Sequence, residues 1–429
     1  PMHLREAFWT KIARPIQGIM YHGWESLVPC EGHSGYRYTH PQTQHELARL
    51  IREVVEPLGP MLRQVPAARS DVVMLESFTS EMFAGRGTFG WGGSWAGDCW
   101  HVLQWAHLQT DILFDETIAA GGLEGRRVLV MPDCDVLCRS VVERVRAFQQ
   151  AGGILVGDER LCPALKPDIV LPVYQRTGHN AKDKAALQAL AAQLRQQLDS
   201  RYTRRLDTDN PDVIPYRRAY KSAEYVFLVN DRRQYGNYVG HHGLVMEQGE
   251  PSQAQVRLHR ADGVVYDLLR RREVPVRKDP QQPDCLMWEV NLGPCEGAVF
   301  LALPAPVAAV RLQGPEQLAP GESGRLRIEI VDAQGRPLEA VFPVRVAVTD
   351  PESRRAEPSG YWAAVDGRLE VPLDIAPNDT PGVWQIEVQE LASGQTARAY
   401  FRVPHPVPWP PERKSPIPKE AAEAVQPKG

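Results

Sequence analysis

The chain lacks most of the features that would mark it quickly. Its 429 residues hold no apolar run of about 18 residues, so no segment reads as a membrane-spanning helix. Charge is unskewed: 49 Lys and Arg stand against 53 Asp and Glu, a formal net charge of −4, which gives no reason to expect nucleic acid or a membrane as partner. Cysteine is scarce and scattered. Cys30, Cys99, Cys134, Cys138, Cys162, Cys285 and Cys295 form an odd set without paired CxxC spacing, against both a zinc ribbon and a dense disulfide framework. Only Cys285 and Cys295 are open to bridging, the alternative being two ordinary core thiols. No GxGxxG follows a strand, so a dinucleotide site has no support and no cofactor is expected. The opening PMHLREAFW carries neither an initiator Met nor a signal peptide, which suggests that the true N-terminus and any localisation signal are missing.

What is present is organised around residues 128–159. Val128, Leu129, Val130 and Met131 make an unbroken apolar run ended by Pro132, the pattern of a strand covered on both faces of a parallel sheet. Val141, Val142, Val145 and Phe148 then form one helical stripe, with Arg139, Glu143, Arg144 and Gln149 facing out. Gly152 and Gly153 stop that helix, and Ile154 to Val156 begin a second strand. The unit is βαβ, for which a right-handed crossover is the expected connection.

Around it, length allows about three domains at ~100 to 200 residues each. Residues 1–66 offer an apolar strand, IQGIMYHGW, and a helix, PQTQHELARLIREVVEPLGPML, whose stripe is Leu47, Leu50, Ile51, Val54 and Val55. One strand and one helix cannot bury their own faces, so this stretch reads as the end of something larger. Over residues 67–222 the order β-loop-α-β-β-α-β describes a doubly wound sheet of the flavodoxin or glutamine-amidotransferase kind, with a charged amphipathic helix from Lys182 to Asp199 in or beside it. Short strands separated by turns predict a β-sandwich over 223–306 and a second, immunoglobulin-like one over 307–403. Residues 404–429 are Pro-rich, without apolar periodicity, and read as a disordered tail.

This order resembles the C-terminal half of multidomain glycoside hydrolases related to the β-galactosidases with a trimerisation domain. The resemblance covers about residues 10–305. It rests on IQGIMYHGW as a last (β/α)8 barrel strand, HPQTQHELARLIREVVEPLGPML as the last barrel helix, and DVVMLES through RVLVMPD to AGGILVGD as an amidotransferase-like trimerisation domain. It implies that the two catalytic glutamates of such enzymes lie upstream of Pro1, so that this chain alone hydrolyses nothing. It also implies a carbohydrate substrate, a homo-oligomer (a trimer in the related enzymes), and an exported, extracytoplasmic enzyme.

Two groups of residues are candidates for contact with sugar. Tyr21, His22 and Trp24 would sit at the carboxyl end of the last barrel strand, where the resemblance implies an aromatic wall; packing under the barrel rim is the alternative for Trp24. In the long Gly-rich loop from Phe83 to Trp100, Arg86, Phe89, Trp91 and Trp95 would touch sugar or the rim, or else only pack the domain. Glu25 reads as a lone loop carboxylate. Cys30, His33, His40 and His45 lack standard ligand spacing, and the adjacent His241 and His242 would point apart in a strand, so no metal is expected. A thiol hydrolase would need a cysteine on a tight elbow, but Cys162 comes too late after its strand, and Cys134 and Cys138 read as structural thiols. The other reading is a stand-alone carbohydrate-binding or scaffold protein without catalysis.

Overall fold

The computed structural model describes residues 2–21, 42–84, 94–239 and 245–405. Its mixed α/β architecture starts with helices. α1 (Met2–Ile12) buries Phe8, Trp9 and Ile12. α2 (Thr43–Leu50) runs through a π-helical turn (Ile51–Val55) into α3 (Glu56–Leu62). Pro57 and Pro60 lack a backbone N–H just beyond that turn, and irregular i→i+5 bonding accommodates such gaps. The buried stripe is Leu50, Val54, Leu58, Met61 and Leu62, while Ile51 and Val55 turn partly outward.

The barrel strand expected over residues 16–24 is not formed in its described part, residues 16–21, and residues 22–24 lie outside the described residues. A strand is stabilised by its ladder, and no described strand pairs with this stretch. Ile19 packs against the helical core instead.

A unit of alternating strands and helices comes next, in which residues 78–84 and 95–100, expected as part of a long loop, are helical. Its elements are β1 (Val72–Glu76), α4 (Phe78–Ala84), α5 (Trp95–Trp105), β2 (Thr110–Phe114), α6 (Asp115–Ala119), β3 (Val128–Met131), α7 (Arg139–Gln150), β4 (Ile154–Gly157), β5 (Ile169–Val170) and α8 (Asn180–Leu198). The strands are all parallel in the order β2-β1-β3-β4-β5, that of flavodoxin-type sheets. Both faces are covered. Val72, Met74, Val128, Val130 and Val156 pack with α5 and α8, whereas Val73, Leu75, Leu129 and Leu155 pack with Val141, Val145 and Phe148 of α7. Gly152 ends α7 at φ 90°, and Gly153 has no room for a side chain because a Cβ there would lie 2.4 Å from the Phe148 ring.

The first sandwich begins at Leu206, earlier than the expected 223. It comprises β6 (Leu206–Thr208), β7 (Val213–Tyr220), β8 (Ala223–Asn230), β9 (Arg233–Val239), β10 (Val245–Gly249), β11 (Ser252–His259), β12 (Val264–Asp267), β13 (Arg272–Val274), β14 (Arg277–Lys278), β15 (Cys285–Leu292) and β16 (Gly297–Leu303). The sheets β14-β15-β11-β6 and β13-β12-β16-β8-β7 enclose Val226, Leu228, Val256, Trp288 and Phe300, while β9 and β10 form a separate hairpin. Cys285 and Cys295 are both buried free thiols, so they do not bridge.

The last unit has β17 (Ala309–Gln313), β18 (Ser323–Val331), β19 (Val341–Thr349), β20 (Gly360–Val365), β21 (Arg368–Asp374), β22 (Gly382–Glu390) and β23 (Thr396–Val403). They form one hydrogen-bonded order, β17-β18-β21-β20-β19-β22-β23. β20 and β21 pair only at Val365 and Arg368, across a turn whose Asp366 and Gly367 both have positive φ. At the other end a bridge between Gln317 and Arg402 draws the edges together, so the sheet rolls around Leu326, Ile328, Val346, Val371, Trp384 and Phe401.

The helices of residues 2–62 complete this core. Phe8, Trp9, Leu50, Leu58 and Met61 share one cluster with Tyr225, Phe227, Val299 and Leu301 of the first sandwich and Phe342 and Ala364 of the second. A Cβ on Gly297 would lie 2.4 Å from the Trp9 ring, so that glycine makes the close approach possible. Glu46 gathers Arg5 Nε at 2.7 Å and Arg49 Nη2 at 2.7 Å, and Arg49 Nη2 also reaches Glu296 at 2.8 Å, which ties α1, α2 and the β15–β16 turn together. Arg218 of β7, 1% exposed, donates to the carbonyls of Ile12, Leu62 and Val65, at and just beyond the ends of α1 and α3.

Candidate functional site

In an open doubly wound sheet, ligands bind outside the carboxyl ends of the strands, at the point where strand order reverses. Here that point lies between β1 and β3, and the residues following the strands are rich in acids: Asp115 after β2, Asp133 and Asp135 after β3, and Asp158 after β4. Most of their acceptor capacity is turned inward. Asp115 accepts from the Ser77 hydroxyl at 3.1 Å and Thr79 N–H at 2.9 Å, which starts α4. Asp158 accepts from the Trp95 indole N–H at 2.8 Å, Asp133 N–H at 2.7 Å and Arg160 N–H at 2.9 Å. Burial raises the Asp158 pKa against the pull of these bonds. Asp133, at φ 53°, is ion-paired with Arg160 at 2.6 Å. Among the described residues no group of three or more His, Cys, Asp or Glu is arranged to hold a metal ion.

The thiols at this edge are poorly placed for nucleophilic work. Cys134 is buried, its Sγ directed to the Pro132 carbonyl at 3.3 Å, and burial pushes its pKa well up. Cys138 is exposed, with Thr79 Oγ1 as its neighbour at 3.7 Å.

Of the residues singled out from sequence, Trp95 is in the wall of the doubly wound unit rather than on its surface. It is 5% exposed, and Ser94 caps its helix by accepting from Gly97 N–H at 3.1 Å. Its indole joins the start of α5 to the carboxyl end of β4 through Asp158. Arg86, Phe89, Trp91, His22 and Trp24 lie outside the described residues, as do Glu25, Cys30, His33 and His40. Tyr21 is described and partly buried; it lines a groove beside α1 and α3, far in sequence from Trp95.

Sequence reasoning missed a polar seam between the parallel sheet and the first sandwich. His107, at φ 55° just past α5, brings Nδ1 to 2.7 Å from Asp207 Oδ1, and Arg195 Nη2 reaches Asp207 Oδ2 at 2.7 Å. Burial works against ionisation of Asp207, but bonds from His107 and Arg195 prevail and hold its carboxyl well below the usual range. Burial lowers the His107 pKa, keeping the ring neutral. Beside this triad a cavity of about 200 Å3 is lined by Tyr202, Arg204, Asp207, Arg257, His259 and Asp279. Nothing in the local sequence signals it, because His107 and Asp207 stand 100 residues apart.

No family model matches the chain, and no curated protein matches it. Among solved structures it is similar to α-L-fucosidase isoenzyme 2 from Paenibacillus thiaminolyticus, at 14% identity and a TM-score of 0.42 over 63% of this chain and 53% of that one. It is also similar to a catalytic mutant of a GH42 β-galactosidase from G. stearothermophilus, at 13% identity and a TM-score of 0.43 over 70% and 51%. A cold-adapted β-galactosidase from Rahnella sp. R3 gives 13% identity and a TM-score of 0.39 over 61% and 45%. These three neighbours are glycoside hydrolases, matched in part, and the chain spans about half the length of each.

Proposed function

We propose that the chain is the non-catalytic C-terminal portion of an exported glycoside hydrolase, supplying assembly contacts and part of the substrate cleft for a carbohydrate. One observation carries this reading. Around the free edge of the parallel sheet, Phe78, Met82 and Phe83 of α4 stand 57%, 60% and 78% exposed, and Ile112 and Phe114 of edge strand β2 add 36% and 48%. The two elements meet there, since Glu76 at the end of β1 pairs with Phe114 and Thr79 N–H bonds Asp115. Large apolar side chains gathered at one exposed edge favour burial against another surface. A second copy of the chain, joined through this amidotransferase-like unit as a trimer or other oligomer, is the partner proposed. Arg86, Phe89 and Trp91, together with Trp24, would then line sugar at the rim, whereas Trp95 is spent on Asp158.

Sedimentation velocity on the purified chain tests the assembly. A concentration-dependent oligomer that Phe83→Glu with Phe114→Glu converts to monomer supports it, and a wild-type monomer at tens of micromolar contradicts it. Chromogenic aryl glycosides test the other half: hydrolysis by this chain alone would overturn the non-catalytic assignment.

A further inference from the structure

The groove beside Tyr21 joins apolar walls to an unbalanced set of cations. It opens between α1, the irregular stretch after it, and the π-helical turn and α3, with a volume of about 340 Å3. Phe8, Ile12, Ile19, Val54 and Leu62 supply its apolar lining, and among the described residues its charged lining is Arg14, Arg63 and Arg218. Three nearby arginines are neutralised: Arg5 by Glu46, Arg49 by Glu46 and Glu296, and Arg233 of β9 by Glu6 and Asp231. Among the described residues none of the three groove arginines has a carboxylate partner. Arg14 donates to the Thr10 carbonyl at 2.9 Å and lies over the rings of Trp100 and Tyr216, 5.9 and 5.2 Å from their centroids. Arg63 is exposed at the rim. Arg218 is spent on backbone carbonyls under the floor, and its Nε has no acceptor.

Unpaired guanidinium groups beside low-dielectric walls make a positive potential that water screens poorly. Burial without a counter-charge lowers the Arg218 pKa to about 10 and that of Arg14 as well. The apolar lining meanwhile favours an apolar body at about 25 cal/mol per Å2 covered, and the volume falls within the roughly 300–1,000 Å3 of small-molecule sites. A ligand matching both features has a hydrocarbon or aromatic body and one negative end.

We infer that this groove binds a free amphipathic carboxylate, its apolar body along Phe8, Val54 and Leu62 and its carboxylate at Arg14 and Arg63. Arg218 acts from beneath through its field rather than by contact. The inference is independent of the assembly edge on the parallel sheet.

Titration calorimetry of the whole chain with decanoate, kept below its micelle-forming concentration, tests it against decanol and decyltrimethylammonium. Decanoate should saturate at one per chain and bind about tenfold or more tighter than decanol, the margin of a charge-assisted contact; the cation should bind most weakly. Arg63→Gln, at an exposed position, should reduce the preference for decanoate, and adding Arg14→Gln should abolish it while decanol binding persists. Val55→Trp, which fills the groove, should weaken both ligands, with unfolding midpoints of all variants confirming that they fold. Equal affinity for decanoate and decanol, indifference to Arg63, absence of saturable binding, or uptake only when micelles or vesicles are present would each overturn the inference.

Discussion

Residues 72–157 and residues 2–62 contain the same raw materials, apolar runs and amphipathic helices, and fold on different terms. The first stretch brings its own partners: β1, β2, β3 and β4 pair with one another, and α5 and α7 cover the two faces. The second brings helices and no strand in its described residues, so its apolar side chains are buried against one another and against β8, β16, β19 and β20, more than 150 residues away. A segment's pattern specifies its element; which surface completes it is decided elsewhere in the chain.

That contrast can be strained by mutation. Trp9→Ala should have the largest effect, about 4 kcal/mol, because it empties a packed site shared by α1 and the Gly297 strand. Urea unfolding should show the loss across both sandwiches; a cost under about 1 kcal/mol would make the helices an appendage rather than core. Leu129→Ala, in the fully buried β3, should cost about 3 kcal/mol, felt first as loss of protection in the parallel sheet. Trp95→Phe keeps an aromatic ring and removes the bond to Asp158, for a loss of about 1 kcal/mol by thermal unfolding and faster exchange at the start of α5.

A further effect appears only in acid. Burial alone would raise the Glu46 pKa, but hydrogen bonds from Arg49 and Arg5 outweigh it and hold the carboxyl at about 2. The stability it contributes is therefore fully present above the ordinary value of 4.5 and is lost as pH falls towards 2. Glu46→Gln should flatten that part of the pH–stability curve, measured by urea midpoints from pH 6 to 2.5.

How much was legible follows the same division. The run from Val128 to Val156 announced strand, helix and strand because its periods are local, and the stripe Val141, Val142, Val145 and Phe148 is the buried one. The stretch IQGIM looked like a strand because a short apolar-rich segment fits strand and coil alike, and only the missing ladder separates them. β7 was overlooked because VIPYRRAY carries Pro215 and two arginines, yet Arg218 is buried to hold two helix ends. At the site, a Gly-rich aromatic loop ending in Trp95 was visible, but not that the indole would be spent on Asp158. The groove arginines 14, 63 and 218 were invisible as a group, since each reads locally as an ordinary surface cation.

The most direct test of the account is hydrogen–deuterium exchange on the intact chain, read over residues 43–62 against β8 and β16. One shared core predicts that the amides of Leu58, Met61 and Leu62 exchange as slowly as those of Phe227 and Leu301. Rapid exchange in α2 and α3 while the sandwich strands stay protected would contradict it.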